Sequence, residues 1–380
     1  MIEPTKTRKK RASYEELLLA GVSAIAEWGI DHVSVSDVAK LSAVSRPTFY
    51  TYFGDMSGFF AEIWLRYGRE WLEAQVCDKS EIDPELDQAL LEIFSVSRRI
   101  PEVYEVLQPD FESWWREKAN GSELESQRMV WELGFLIGYK LSSKVTGKSA
   151  LGLPVRELMD VPDNVLELPG MEGLGVKVTS EMLPPMAGLH RIDDTVESIL
   201  TQAAIEVIAT SGVAASSMTR IARRARVSTG SVYPRFKSSD ALVHHSFATA
   251  IKTIVGKNME MVTEQGIGID IYAMTVNAGY GENRKTWRHF RTEMHVEAAH
   301  DKDLAKFMES GFEASAQFLI DNFLKFGAPE DFATSVAWFL HSHAIGISII
   351  HSLLPEIEHH DNRIMGRWII RGLQNPATSR

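Results

Sequence analysis

The sequence predicts an all-α protein built from two three-helix heads, each followed by a further helical domain. Two observations carry this reading. One stretch occurs twice, as SVSDVAKLSAVSRPTFYTYF at 34–53 and SMTRIARRARVSTGSVYPRF at 217–236. Ala222 falls on Ala39, Ser228 on Ser45, Tyr233 on Tyr50 and Phe236 on Phe53, all at an offset of 183. A register held without a gap identifies an internal repeat, which has to be settled before any other assignment. The second observation is that apolar residues in and around each copy recur at i, i+3 and i+4, the spacing of one helix face.

Within each copy the sequence spells two short helices and a tight turn. Ser34 and Ser217 are N-cap residues, whose side-chain oxygen accepts from an unpaired first-turn N–H. Behind them Val35, Val38 and Ala39, or Met218, Ile221 and Ala222, share a face. A second cap, Ser45 or Ser228, follows Val44 or Val227. The helices expected next, Arg46–Phe53 and Thr229–Phe236, have short polar side chains at the start and aromatic ones inside. A helix that enters the major groove needs that division, an outer N-terminal face for bases and an inner face anchored to the protein. An ordinary α-hairpin would satisfy one such copy. Two copies in register favour DNA binding, since each also follows an amphipathic helix (Tyr14–Trp28 ending at Gly29, and 194–211 ending at Gly212). The heads are homeodomain-like helix-turn-helix units over 13–60 and 191–243.

On these residues both heads resemble the N-terminal DNA-binding domain of TetR-family (tetracycline-repressor-like) transcriptional regulators. The resemblance rests on Ser34-Val35-x-Asp37-Val38-Ala39, Val44-Ser45, Thr48-x-Tyr50 and Phe53. In the second head it rests on Ser217-Met218-x-Arg220-Ile221-Ala222, Val227-Ser228, Ser231-x-Tyr233 and Phe236. It implies an all-α ligand-binding and dimerisation domain after each head, a double-stranded operator, and a repressor released by a small molecule. Family members normally carry one head and pair as homodimers, so this chain resembles a fused, tandem member. It would act as a pseudo-dimer reading an imperfect palindrome. The alternatives are a homodimer of tandem chains with four heads, and a small-molecule-binding module with one degenerate head. The candidate contacts are Ser45, Arg46, Thr48, Tyr50, Tyr52 and Lys40 in the first head. In the second they are Ser228, Thr229, Ser231, Tyr233 and Arg235, with Arg223, Arg224, Arg226 and Lys237 serving phosphates. The sequence departs from the family pattern at Ala43 and Arg226, where glycine is common, and at Met56 and Ser239, where lysine is. Pro47 is tolerated in a first helical turn, whereas Pro234 is expected to shorten or bend its helix.

Of 380 residues, 51 are acidic and 40 basic, for a net charge of −11. Residues 1–60 are neutral and 190–243 carry +2, so the remaining chain carries −13. The acidity therefore lies away from the heads, and phosphate contacts need local positive charge rather than a basic whole. Cys77 is the only cysteine, which excludes an internal disulfide and a four-cysteine zinc site and fits a reducing cytoplasm, here at the bacterial nucleoid. No apolar run is read as long enough to cross a bilayer, so no membrane partner is expected. The basic segment at 1–12 is expected to be a flexible arm. It loosely imitates a secretion signal, but Glu15 and Glu16 interrupt it where the apolar region would begin.

The rest of the chain divides into a shortened first regulatory domain at 61–146, a Gly/Pro-rich linker at 147–190, and a fuller ligand-binding and dimerisation domain at 244–380. The first half lacks one helix of the pair expected to form a bundle interface. Candidate effector contacts are Trp287, Phe290, Met294, Phe312, Trp338 and His341 in the second half, and Trp114 and Trp131 in the first. They suggest an apolar or aromatic effector, although aromatics at helical spacing are also ordinary core residues. Histidines 341, 343 and 351 share one expected helix without acidic or thiolate partners at ligand spacing, so no metal is expected. The chain contains no phosphate-binding loop, dinucleotide fingerprint or metalloprotease motif, and neither cofactor nor catalysis is expected.

Overall fold

The computed structural model describes residues 4–76, 82–174, 188–189, 193–265, 269–325 and 327–374. Cys77 and the linker residues 175–187 and 190 lie outside that set. Among the described residues the chain is all-α, without strands. It divides into two compact units, Met1–Trp115 and Arg116–Arg380.

The first unit holds α1 (Pro4–Trp28), α2 (Val35–Leu41), α3 (Arg46–Phe53), α4 (Met56–Val76), α5 (Pro84–Val96) and α6 (Pro101–Ala119) as far as Trp115. Because α1 begins at Pro4, most of the segment expected to be a flexible arm is helix. Asp83 caps α5, accepting from the N–H groups of Glu85 and Leu86 at 3.0 Å, with Pro84 in the first turn where its missing N–H is harmless. The core is a continuous run of rings. Phe49 and Phe53 meet Phe59 at 4.9 and 4.8 Å, and further along Trp64 stacks on Phe94, which meets Phe111 edge to face. Three buried indoles each donate to a carboxylate: Trp64 to Asp110, Trp71 to Asp87 and Trp114 to Glu73, at 2.8–3.1 Å. Burying an indole without such a partner would leave a costly orphan donor. Gly21 lets α4 approach α1, since a Cβ there would strike the Phe59 ring.

The second unit begins with α7 (Glu123–Ser142). A 3-10 turn at Gly147–Gly152, α8 (Leu153–Arg156) and a second 3-10 turn at Val165–Glu167 follow. Then come α9 (Val196–Ser211), α10 (Met218–Ala225), α11 (Ser239–Gln265), α12 (Ile269–Ala278), α13 (Lys285–Ala298), α14 (Lys302–Lys325), α15 (Glu330–Leu353) and α16 (Arg363–Gln374). One cluster of buried residues, with Leu200, Ile221, Val232 and Phe236 in it, is the core of the second head. Another, around Phe247, Phe290, Met294, Met308 and Phe312, fills the domain behind it. The Gly/Pro-rich stretch from 147 to 174 is packed, burying Val155, Val161, Val165 and Met171. Its carbonyls accept from α16: Leu158 from Trp368 at 2.8 Å, Pro169 from Arg371 and Glu172 from Arg367 at 3.0 Å.

The closest helix pair of this unit joins the two halves of the sequence. α7 lies against α15 with glycines at the crossing: a Cβ at Gly138 would fall on the Ser342 carbonyl, and one at Gly346 on the Gly134 carbonyl. Ser142 and Ser342 share a hydroxyl hydrogen bond of 3.0 Å. Trp131 stacks on His343 at 4.3 Å and on Phe339 at 5.6 Å, and donates to Asn362 at 2.8 Å. A helix of the first sequence half thus pairs with one of the second. Contrary to the sequence expectation, α15 has the length and apolarity of a membrane span, the only such helix among the described residues. Of that stretch, 78% is buried inside the unit, so its apolar surface is already covered.

Burial holds four histidines of this unit neutral. It lowers His295, His343 and His351 to about 3, with Arg288 and Lys285 adding to the effect on His351, and it lowers His341 well below its ordinary range. A histidine that resists protonation when folded but accepts it when unfolded favours unfolding as pH falls below about 6.5. The second unit is therefore expected to lose stability from about pH 6.5 toward about pH 3. The only histidine of the first unit is the exposed His32. Segment-resolved hydrogen exchange, corrected for intrinsic rates, should show α15 losing protection at a higher pH than α4. Simultaneous loss would contradict this.

Candidate nucleic-acid interface

The two turns that precede the expected recognition helices match down to single hydrogen bonds. In the first head Ser34 caps α2 and exchanges bonds with Asp37 in a capping box, and Val44 N–H donates to the Ala39 carbonyl at 3.1 Å. In the second, Ser217 caps α10 and Val227 N–H donates to Ala222 at 3.0 Å. The residue between helix and cap is left-handed in both, Ala43 at φ 54° and Arg226 at φ 57°. The next cap repeats as well, with Ser45 Oγ 2.8 Å from Thr48 Oγ1 and Ser228 Oγ 2.9 Å from Ser231 Oγ. Inner anchors correspond too: Phe49 and Val232 are fully buried, as are Val38 and Ile221.

A left-handed conformation costs a non-glycine residue roughly 1–2 kcal/mol. Ala43→Gly relieves that strain, less the entropy glycine adds to the unfolded chain. The variant is expected to raise the stability of the first unit by about 0.5–1 kcal/mol, read as a higher urea midpoint at unchanged slope. A lower midpoint would mean that the backbone at Ala43 is not strained.

Beyond the caps the heads differ. α3 is a regular helix with Arg46, Pro47, Tyr50 and Thr51 exposed and Thr48 half-buried. Tyr52 is half-buried and turns toward α1, its ring 5.6 Å from that of Tyr14, so it faces the protein more than the outer surface. Lys40, at the end of α2, is exposed. Pro47 and Thr51 belong to the outward face, and the i, i+4 relation to Tyr50's neighbours on the helix could have identified them.

In the second head the expected helix Thr229–Phe236 is replaced by a 3-10 turn over Thr229–Ser231 and further turns to Arg235. The cause is local. Gly230 stands where the first head has Pro47, weakening the first turn, and Pro234 stands where it has Thr51. Proline has no N–H to donate to the Gly230 carbonyl and its ring crowds that position, so an α-helix cannot continue through it. Tyr233 still points outward, 58% exposed against 52% for Tyr50. Ser228, Arg223, Arg226, Arg235 and Lys237 are exposed as well, with Thr229 and Ser231 half-buried. Two cations of this head are engaged within it: Arg224 pairs with Glu206 at 2.6 Å, and Arg235 donates to the Ser231 carbonyl at 2.8 Å. Exposed pairs of this kind contribute about 0–1 kcal/mol, so exchange for a phosphate is inexpensive.

The effector candidates separate. Trp287, Phe312 and His341 line one cavity of about 130 Å³ between α11, α13, α14 and α15. Phe290 and Met294 sit in the solid core beside it and Trp338 packs edge-on to His341. Trp114 belongs to the first unit and Trp131 to the α7–α15 contact. Arg291 and Asn258 line the cavity and were missed, because polar residues on an expected helix read as its solvent face. A larger groove of about 450 Å³ beside the second head is lined mostly by polar groups such as Asp193, Glu197, Arg235 and His245.

The family model described as bacterial regulatory proteins, tetR family, matches residues 17–63 and 200–245. A curated relative, the uncharacterised HTH-type transcriptional regulator YvdT of Bacillus subtilis (strain 168), is 26% identical over 95 residues. Those residues make up 24% of this chain, which spans about half, 49%, of the relative's length. A crystal structure of a transcriptional regulator from Rhodococcus sp. Rha1 is similar at 24% identity and a TM-score of 0.39, covering 48% of this chain and 97% of that one.

Proposed function

We propose that the chain, which matches the DNA-binding domain of the tetR family of bacterial regulatory proteins at two places, is a tandem member of that family and works as a pseudo-dimer. One polypeptide supplies both heads to an imperfect palindromic operator, represses by occupying it, and is released by a small molecule bound behind the second head. The observation that carries this reading is the α7–α15 contact, where a helix of each sequence half meets in a single chain. In a homodimer such a contact would lie between two copies.

Arg46 and Tyr50 in one head, and Tyr233 with Ser231 in the other, would contact bases or phosphates in successive major grooves about 34 Å apart. Lys40, Arg223, Arg226 and Lys237 would add phosphate contacts, which fix register and make affinity salt-dependent. Because Thr48 is matched by Ser231 and Arg46 by Thr229, the half-sites are free to differ. The effector acts by binding one head arrangement more tightly than the other, since equal affinity would shift nothing.

A genomic footprint combined with the mass of the protein–DNA complex tests the proposal. One chain on one site of two half-sites is the expected result. Two chains protecting a site about twice as long would replace the pseudo-dimer with a four-headed dimer.

A further inference from the structure

Next to the apolar cavity lies a second one of about 90 Å³, bordered by Tyr280, Arg284, Arg288 and Ser348. The two cavities share Asn258, Trp287, Arg291 and Ala344 along their walls. Arg284 and Arg288 are 3% and 6% exposed. Their hydrogen bonds go to neutral oxygens: Arg284 to Asn258 Oδ1 at 2.9 Å, Arg288 to the Gly279 and Gly281 carbonyls at 2.7 and 2.9 Å. The Nε of each is buried and makes no hydrogen bond. Among the described residues neither forms an ion pair with a carboxylate. Glu282 pairs with Lys285 at 3.0 Å and Glu358 lies 3.2 Å from His351; their charges partly offset the burial of Arg288 without an ion pair to it.

Burial lowers both arginines to about 10, and the charge of Arg288 adds to the effect on Arg284. Both remain cationic at neutral pH. Buried cations are otherwise found paired, because removing a charge from water without a counter-ion is strongly unfavourable. Guanidinium groups present several N–H donors in a plane that matches an acid group.

We propose that these two adjoining cavities together bind a small amphipathic organic anion, its apolar body against Trp287, Phe312 and His341 and its acid group against Arg284 and Arg288. This rests on the reading of the second-half domain as the effector site, and it replaces a purely apolar effector with an acid. The small volumes suit a single ring or a short chain.

The test uses the full chain and two matched probe pairs, octanoate with octanamide and 4-phenylbutyrate with 4-phenylbutyramide. Binding is measured by calorimetry and DNA retention is measured separately on the footprinted site. The acids are expected to bind at least tenfold more tightly than their amides. Arg284→Gln and Arg288→Gln should each remove that tenfold preference of acid over amide. The comparison of acid with amide on the unaltered chain decides the matter even where a variant misfolds. Amides binding as tightly as the acids, or acids failing to bind at millimolar concentration, would overturn the anion site. Acid binding with the expected preference but undiminished DNA retention upholds the anion site and removes the release reading instead.

Discussion

Replacing Gly138 with leucine is expected to destabilise the second unit by at least about 3 kcal/mol, or to prevent its folding, because overpacking already costs about 1–3 kcal/mol where side chains can yield. Here the obstacle is backbone. The first added carbon would fall on the Ser342 carbonyl, and the same holds for Gly346 against the Gly134 carbonyl. Neither helix can move away without breaking the Ser142–Ser342 bond and opening the Trp131–His343 stack. Glycine inside a helix itself costs about 1 kcal/mol relative to alanine, so the crossing has to return more than the glycines lose. Gly256 is the matched control. It lies within α11, where an added Cβ meets nothing within 4 Å, and Gly256→Ala should stabilise by about 0.5–1 kcal/mol. Urea titrations followed by helical circular dichroism separate the two outcomes. A Gly138→Leu chain within about 0.5 kcal/mol of the parent would mean that the crossing does not hold the unit together.

Disabling either head alone is expected to lower operator affinity by about 10²–10⁴-fold, the advantage that linking two binding modules confers when both engage. Arg46→Ala with Tyr50→Ala removes the exposed cation and ring of α3 while leaving the buried Phe49 and Phe53 untouched. Tyr233→Ala with Ser231→Ala does the equivalent in the second head without disturbing Val232 or Phe236. The second pair is the sharper test, because that head presents a turn and not a helix. Affinity unchanged by the second pair, alongside a large loss from the first, would leave a regulator with one working head. Lys237→Ala, by comparison, should weaken binding evenly across sequences and reduce the salt slope by about one.

What could be read in advance follows the range of the interactions involved. Caps, turns and inner anchors depend on residues within a few positions, so the offset of 183 carried from letters to hydrogen bonds such as Val44–Ala39 and Val227–Ala222. Pro234 was legible as a defect, but not the full loss of the helix, which took Gly230 as well. The pairing of α7 with α15 joins residues some 200 positions apart, and Gly134 and Gly138 alone look like weak points in a helix. Arg284 and Arg288 stand beside Glu282 and Lys285, which are exposed, so their burial has no local sign. The place of Tyr52 in the motif makes it a candidate DNA contact and gives no sign of Tyr14, whose ring lies 5.6 Å away on α1. Trp131, an effector candidate from the inward face of its expected helix, stacks on His343 and Phe339 from the other half of the chain.

The α7–α15 crossing also bears on dosage. A regulator assembled from separate copies loses its paired form on dilution, because association depends on protomer concentration. When both partners of the crossing are tethered in one polypeptide, dilution leaves them together, and occupancy of the operator would rise with the first power of protein concentration instead of the second. On the pseudo-dimer reading proposed above, a few molecules per cell would still fill the operator, and halving their number would change its occupancy gradually and without a threshold.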